Sequence, residues 1–115
     1  IDAVAELPEI DDAAAEDVLA LAPFGCGNPA PRFAAMEVEV AGISVWKERH
    51  LRLAVRQNGR TLSLKAWNFA ERAAELTPGT RIDVAFTLEE DTYAAARGYP
   101  GWAAVMCAFR PAAGA

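Results

Sequence analysis

Residues 50–76 read HLRLAVRQNGRTLSLKAWNFAERAAEL. In residues 50–56 the apolar Leu51, Leu53 and Val55 alternate with His50, Arg52 and Arg56, the period-2 pattern of a half-buried strand. Asn58-Gly59 follows, the dipeptide that most readily takes the two positive φ values of a tight hairpin turn. Over residues 60–67 the alternation resumes, with Leu62, Leu64 and Ala66 opposite Thr61, Ser63, Lys65 and Trp67. The period then changes: FAERAAEL, residues 69–76, predicts a helical segment, and Thr77-Pro78-Gly79 ends it. Two hairpin strands followed at once by a helix constrain what the rest of the chain can form.

Working outward, residues 34–46, AAMEVEVAGISVW, predict a long strand in which Met36, Val38 and Val40 share one face and Glu37 and Glu39 the other. At Gly42 the phase shifts to Ile43 and Val45, the mark of a bulge that lets a sheet curl. Downstream, Ile82, Val84, Phe86 and Leu88 define the inner face of a fourth strand, residues 91–101 a loop, and residues 102–110 a last strand apolar on both faces. Upstream, the spacing predicts a helix over 11–21 with Asp11 and Asp12 in its first turn, where the helix dipole favours acids, and with Ala14, Val18, Leu21 and Ala22 along its apolar side. Five short antiparallel strands with a helix between the third and fourth are the plan of an OB-fold barrel. The expected organisation is an acidic leader helix and Pro/Gly-rich joint over 1–33, the barrel over 34–111 and a tail over 112–115.

The chain has 115 residues and a net charge of −5, a length that suits one domain with a single core. Residues 1–17 carry seven acids and no base, so the remainder holds 11 bases against nine acids. Residues 47–65 contain six bases, Lys47, Arg49, Arg52, Arg56, Arg60 and Lys65, against Glu48 alone. At a Debye length of about 10 Å such a local stripe matters more than the total charge. No apolar run is long enough to span a bilayer. Cys26 and Cys107 stand far apart with one histidine in the chain, which disfavours a zinc site and fits reduced, buried thiols of a cytoplasmic protein. No signal peptide is expected at this start, since acidic residues rather than a basic and then apolar run follow Ile1, and the missing initiator Met is what a piece of a longer protein would show.

An OB barrel receives oligonucleotides across its second and third strands, flanked by the loops joining strands one to two and four to five. The expected contact residues are Trp46, Lys47 and Arg49 in the first loop, Arg52, Arg56 and Lys65 on the open face, and Tyr93, Arg97 and Tyr99 in the second loop. Cations follow phosphates, and aromatic faces stack bases for about 1 to 3 kcal/mol each. Each residue also has a plainer reading. Alternating arginines keep a strand soluble, Trp67 is expected to fill the barrel end, with a place on the open face as its alternative, and His50 is expected to be a surface residue. No nucleophile–base pair, phosphate loop or metal-ligand cluster is legible, so no catalytic or metal-binding residue is assigned.

The stretch PFGCGNPAPRF, residues 23–33, resembles the FGxGNPxPxF signature that precedes the OB domain of RecJ-type single-stranded-DNA-specific exonucleases, members of the DHH phosphoesterase superfamily. HLRL resembles that family's HLKL, LTPGTRIDVAFTLEEDTY its helix exit and fourth strand, and GYPGWAAVMCAFRP its closing GWxLxLxDxRP. Cys107-Ala108 departs from the polar or charged pair common there. The resemblance implies a 5′-to-3′ exonuclease of bacterial DNA repair and recombination whose catalytic domains, absent here, use Mn²⁺ or Mg²⁺. It implies that this part binds single-stranded DNA and guides it without cleaving it, alongside catalytic domains of the same chain and a single-stranded-DNA-binding protein as partners, with no membrane. The turn cluster would then mount the barrel on the catalytic part. The alternative is an architectural or protein-interaction OB domain, and composition does not separate DNA from RNA.

Overall fold

The computed structural model describes residues 3–20, 31–91, 96–98 and 101–112. In chain order the elements are β1 (Ala3–Val4), a 3-10 turn (Leu7–Glu9), α1 (Asp12–Leu19), β2 (Arg32–Trp46), β3 (His50–Gln57), β4 (Arg60–Ala66), a second 3-10 segment (Ala70–Glu75), β5 (Arg81–Glu90) and β6 (Trp102–Pro111). The strand order is β1-β2-β3-β4-β6-β5, and β2 also pairs with β5. That last pairing closes β2 to β6 into a five-stranded barrel, the OB fold expected from the sequence. The pairs β1–β2 and β4–β6 are parallel; the others are antiparallel.

The β3–β4 hairpin forms in the register expected, with Gln57 opposite Arg60 and Asn58 and Gly59 at φ 51° and 81°. Its inner residues Leu51, Leu53, Val55, Leu62, Leu64 and Ala66 are buried, as are Ile82, Val84, Phe86 and Leu88 of β5. The segment between β4 and β5 is a 3-10 helix rather than an α-helix. Leu76 anchors its end in the core, and Phe69 packs on Phe109 with ring centroids 6.1 Å apart.

Three bulges shape the strands. Ala41 is the extra residue between Val40 and Gly42, as the phase shift at Gly42 predicts. A second bulge lies between Ala35 and Val38, with Glu37 at φ 52°. There the Glu37 N–H donates to Oδ1 of buried Asp83 at 2.9 Å, and Arg110 Nε donates to Asp83 Oδ2 at 3.0 Å. This bulge turns Met36 outward to 38% exposure, against the expected alternation. The third, opposite Ala85 and Phe86, makes Cys107 the extra residue of β6 and leaves it exposed, so the expectation of a buried thiol fails for Cys107; Cys26 lies outside the described residues. Val45 is also exposed, because the end of β2 pairs with β3 but has run past its partner β5.

The leader packs into the same core. Leu7, Ile10 and Ala15 are buried with the barrel residues. Ala15 is the fully buried position of α1, while Ala14 and Val18 of the expected apolar side are half-buried and Val18 packs against the core; Leu21 and Ala22 lie outside the described residues. Asp11 caps α1 by accepting from the Ala14 N–H at 2.9 Å. Gln57 ties leader to barrel, accepting from the Leu7 N–H at 2.8 Å and donating to the Met36 carbonyl at 2.6 Å. Arg60 donates to the Ile10 carbonyl, and Trp102 Nε1 donates to Asp12. The turn cluster over 21–30 falls outside the described residues, and with it the joint expected there.

Candidate nucleic-acid interface

Residues directly opposite in an antiparallel pair share a face, so the register fixes what the outer surface of β2, β3 and β4 presents. Trp46 stands opposite His50, and because Leu51 pairs with Ala66, His50 is followed across the hairpin by Trp67. The ring centroids are 5.4 Å apart for Trp46–His50, 4.9 Å for His50–Trp67 and 5.3 Å for Trp46–Trp67. Both indoles remain open to solvent, at 42% and 38% exposure. His50 Nδ1 accepts from the Asn68 backbone N–H at 2.9 Å, which places the neutral ring's proton on Nε2. Asn68 adopts φ 62°, turning its amide back toward the histidine.

The turn from β2 to β3 supplies cations beside this row. Lys47 and Glu48 both take left-handed φ, 52° and 61°, at about 1 to 2 kcal/mol each for residues that carry a Cβ. The turn closes through the Arg49 N–H and the Trp46 carbonyl, and Lys47 Nζ lies 5.1 Å from the Trp46 ring centroid.

Moving along the strands, the next row is Ser44, Arg52 and Lys65, then Gly42, Ala54 and Ser63, then Glu39, Arg56 and Thr61. The small residues of the third row leave the middle of the face shallow. Arg52 is exposed and makes no ion pair among the described residues. Lys65 Nζ binds Asp91 Oδ2 at 3.0 Å in a half-buried pair. Arg56 places Nε and Nη2 on one carboxylate oxygen of Glu39. That hydrogen bond, then the Arg56 charge, then Arg81 hold the Glu39 carboxyl below its ordinary value.

The model of the family described as the RecJ OB domain matches residues 1–99. The chain belongs to that family. A comparison with curated protein sequences found no match. Among solved structures, a replication protein A heterotrimer bound to ssDNA is similar, with a TM-score of 0.54 and 15% identity. The likeness covers 74% of this chain and 60% of the other, so this RecJ OB domain spans about 60% of that neighbour's length. At that identity the likeness is one of fold.

Of the residues expected at the site, the barrel of this RecJ OB domain gathers Trp46, Lys47, Arg49, Arg52, Lys65 and Arg56 onto the face or its rim. Arg97 is exposed in the connection between β5 and β6. Tyr93 and Tyr99 lie outside the described residues. Trp67 corrects an expectation: it faces outward in the aromatic row instead of filling the barrel end. His50, expected to be an ordinary surface residue, is the middle member of that row. A signal for both was present, because the Asn58-Gly59 turn pairs Gln57 with Arg60 and, counting back, His50 with Trp67.

Proposed function

We propose that this domain binds single-stranded DNA across the outer face of β2, β3 and β4. The observation that carries the reading is the exposed Trp46–His50–Trp67 row flanked by Lys47, Arg49 and Arg52: ring faces for bases beside cations for phosphates. Family membership and the ssDNA-bound neighbour with the same fold support it. In a longer protein the domain would guide the strand toward the catalytic domains of a 5′-to-3′ single-strand exonuclease of DNA repair and recombination, in the cytoplasm of a bacterium and in company with a single-stranded-DNA-binding protein. As a member of the RecJ OB domain family, this part is read as binding without cleaving, and the Mn²⁺ or Mg²⁺ of such an enzyme would belong to the catalytic domains.

The test is fluorescence anisotropy with labelled oligo(dT), its duplex and oligo(U), each at low and moderate salt. We expect the single strand to bind in preference to the duplex and to weaken as salt rises. Equal duplex binding, or no binding, would overturn the reading. A protein-interaction role is then the second reading. It is favoured by a largely apolar groove of about 410 Å³ on the outside of β5 and β6, lined by Val4, Met36, Ala85, Ala108 and Phe109 among others.

A further inference from the structure

Six bases crowd residues 47–65, yet the fold engages half of them internally. Arg60 is half-buried and donates to the Ile10 carbonyl at 2.9 Å. Arg56 is held by Glu39, which also faces Arg81 across the β2–β5 pairing. Lys65 is held by Asp91 with side chains only 27% and 16% exposed, so water screens this pair weakly. Asp91 is itself fixed at the base of the β5–β6 connection, where its N–H donates to the Gly101 carbonyl at 2.9 Å. Lys47, Arg49 and Arg52 remain, exposed and without an ion pair among the described residues. All three lie within one row of the aromatic trio. Rows two residues apart are about 7 Å apart along a strand, so the Arg56 row lies about 20 Å from the tryptophans.

We propose that the face grips a short stretch of single-stranded DNA at its Trp46–His50–Trp67 end, about four nucleotides at most, the low end of the OB-fold range, because Glu39 and Asp91 close the remaining phosphate track with internal ion pairs. This rests on the reading of the face as a single-strand site. Glu39 and Asp91 are then the residues that set the footprint: a phosphate reaching Arg56 or Lys65 meets a cation whose charge a carboxylate already offsets.

The experiment is a length series of oligo(dT) from 2 to about 16 nucleotides, titrated against the wild-type chain and against Glu39→Gln/Asp91→Asn, with affinities corrected for overlapping registers. For the wild type we expect a plateau by about four nucleotides and a log–log salt slope near −2, three phosphate contacts at about −0.7 each. In the double variant the plateau should move to about eight nucleotides, affinity should rise about fivefold or more at low salt, and the slope should steepen toward about −3.5. A circular dichroism melt matching the wild type establishes that the variant is folded. Wild-type affinity that keeps climbing beyond about four nucleotides, or a folded double variant that binds like the wild type, overturns the proposal. Failure of the wild type to bind at any length overturns the single-strand reading itself, a separate outcome.

Discussion

Leaving two indoles at 42% and 38% exposure keeps apolar surface in water, at about 25 cal/mol per Å². Neither ring is needed to fill the barrel, whose interior is occupied by aliphatic residues, Met106, Phe86 and Phe109. The arrangement is nonetheless ordered: His50, fixed by the Asn68 amide, packs on both indoles, which also pack on each other, and Lys47 covers part of Trp46. Stacking of a base on this platform gives the exposure a use. Trp67→Ala should therefore weaken oligo(dT) binding by about 1 to 3 kcal/mol, roughly 5- to 150-fold, while thermal stability changes little. The readouts are anisotropy and a melting curve on the same sample. A variant that melts far lower would show that Trp67 serves the barrel end after all.

At the scale of the strand, β2 serves two barrel neighbours in turn, besides β1 at its start, pairing with β5 up to Glu39 and with β3 from Glu39 onward. The bulge at Met36-Glu37 re-aims the strand within its β5-paired half, and Asp83 holds it by satisfying the Glu37 N–H. Asp83→Ala would leave that donor unpaired and free the Arg110 side chain, lowering stability by about 1 to 3 kcal/mol, as urea denaturation would measure. The bulge at Gly42 is legible in the chain because a glycine marks the phase shift. The one at Glu37 is not, since no glycine stands there and its support comes from 46 residues away. Separation along the chain likewise divides the legible part of the site from the rest. The aromatic row follows from local register, whereas the Arg56–Glu39 and Lys65–Asp91 pairs join residues 17 and 26 apart across different strands. A run of bases therefore looked like one continuous stripe, and only the three-dimensional pairing shows which of them are engaged.

For the molecule as a whole, the leader is a structural part of the barrel. Burial of Leu7 and Ile10 contributes about 1.5 to 3 kcal/mol each, against a typical total of about 5 to 15 kcal/mol. Deleting residues 1–20 should lower the melting temperature by at least about 10 °C or abolish the cooperative transition, as differential scanning calorimetry would reveal. Docking of the leader also has a consequence for synthesis on the ribosome. Leu7 and Ile10 find Gln57 and Arg60 50 residues later, and Asp12 finds Trp102 90 residues later. At about 5 to 20 residues per second, the leader waits roughly 5 to 18 s for its last partner in this domain. A leader whose first 17 residues carry seven acids and no base has the like-charge repulsion that would keep such a waiting segment in solution.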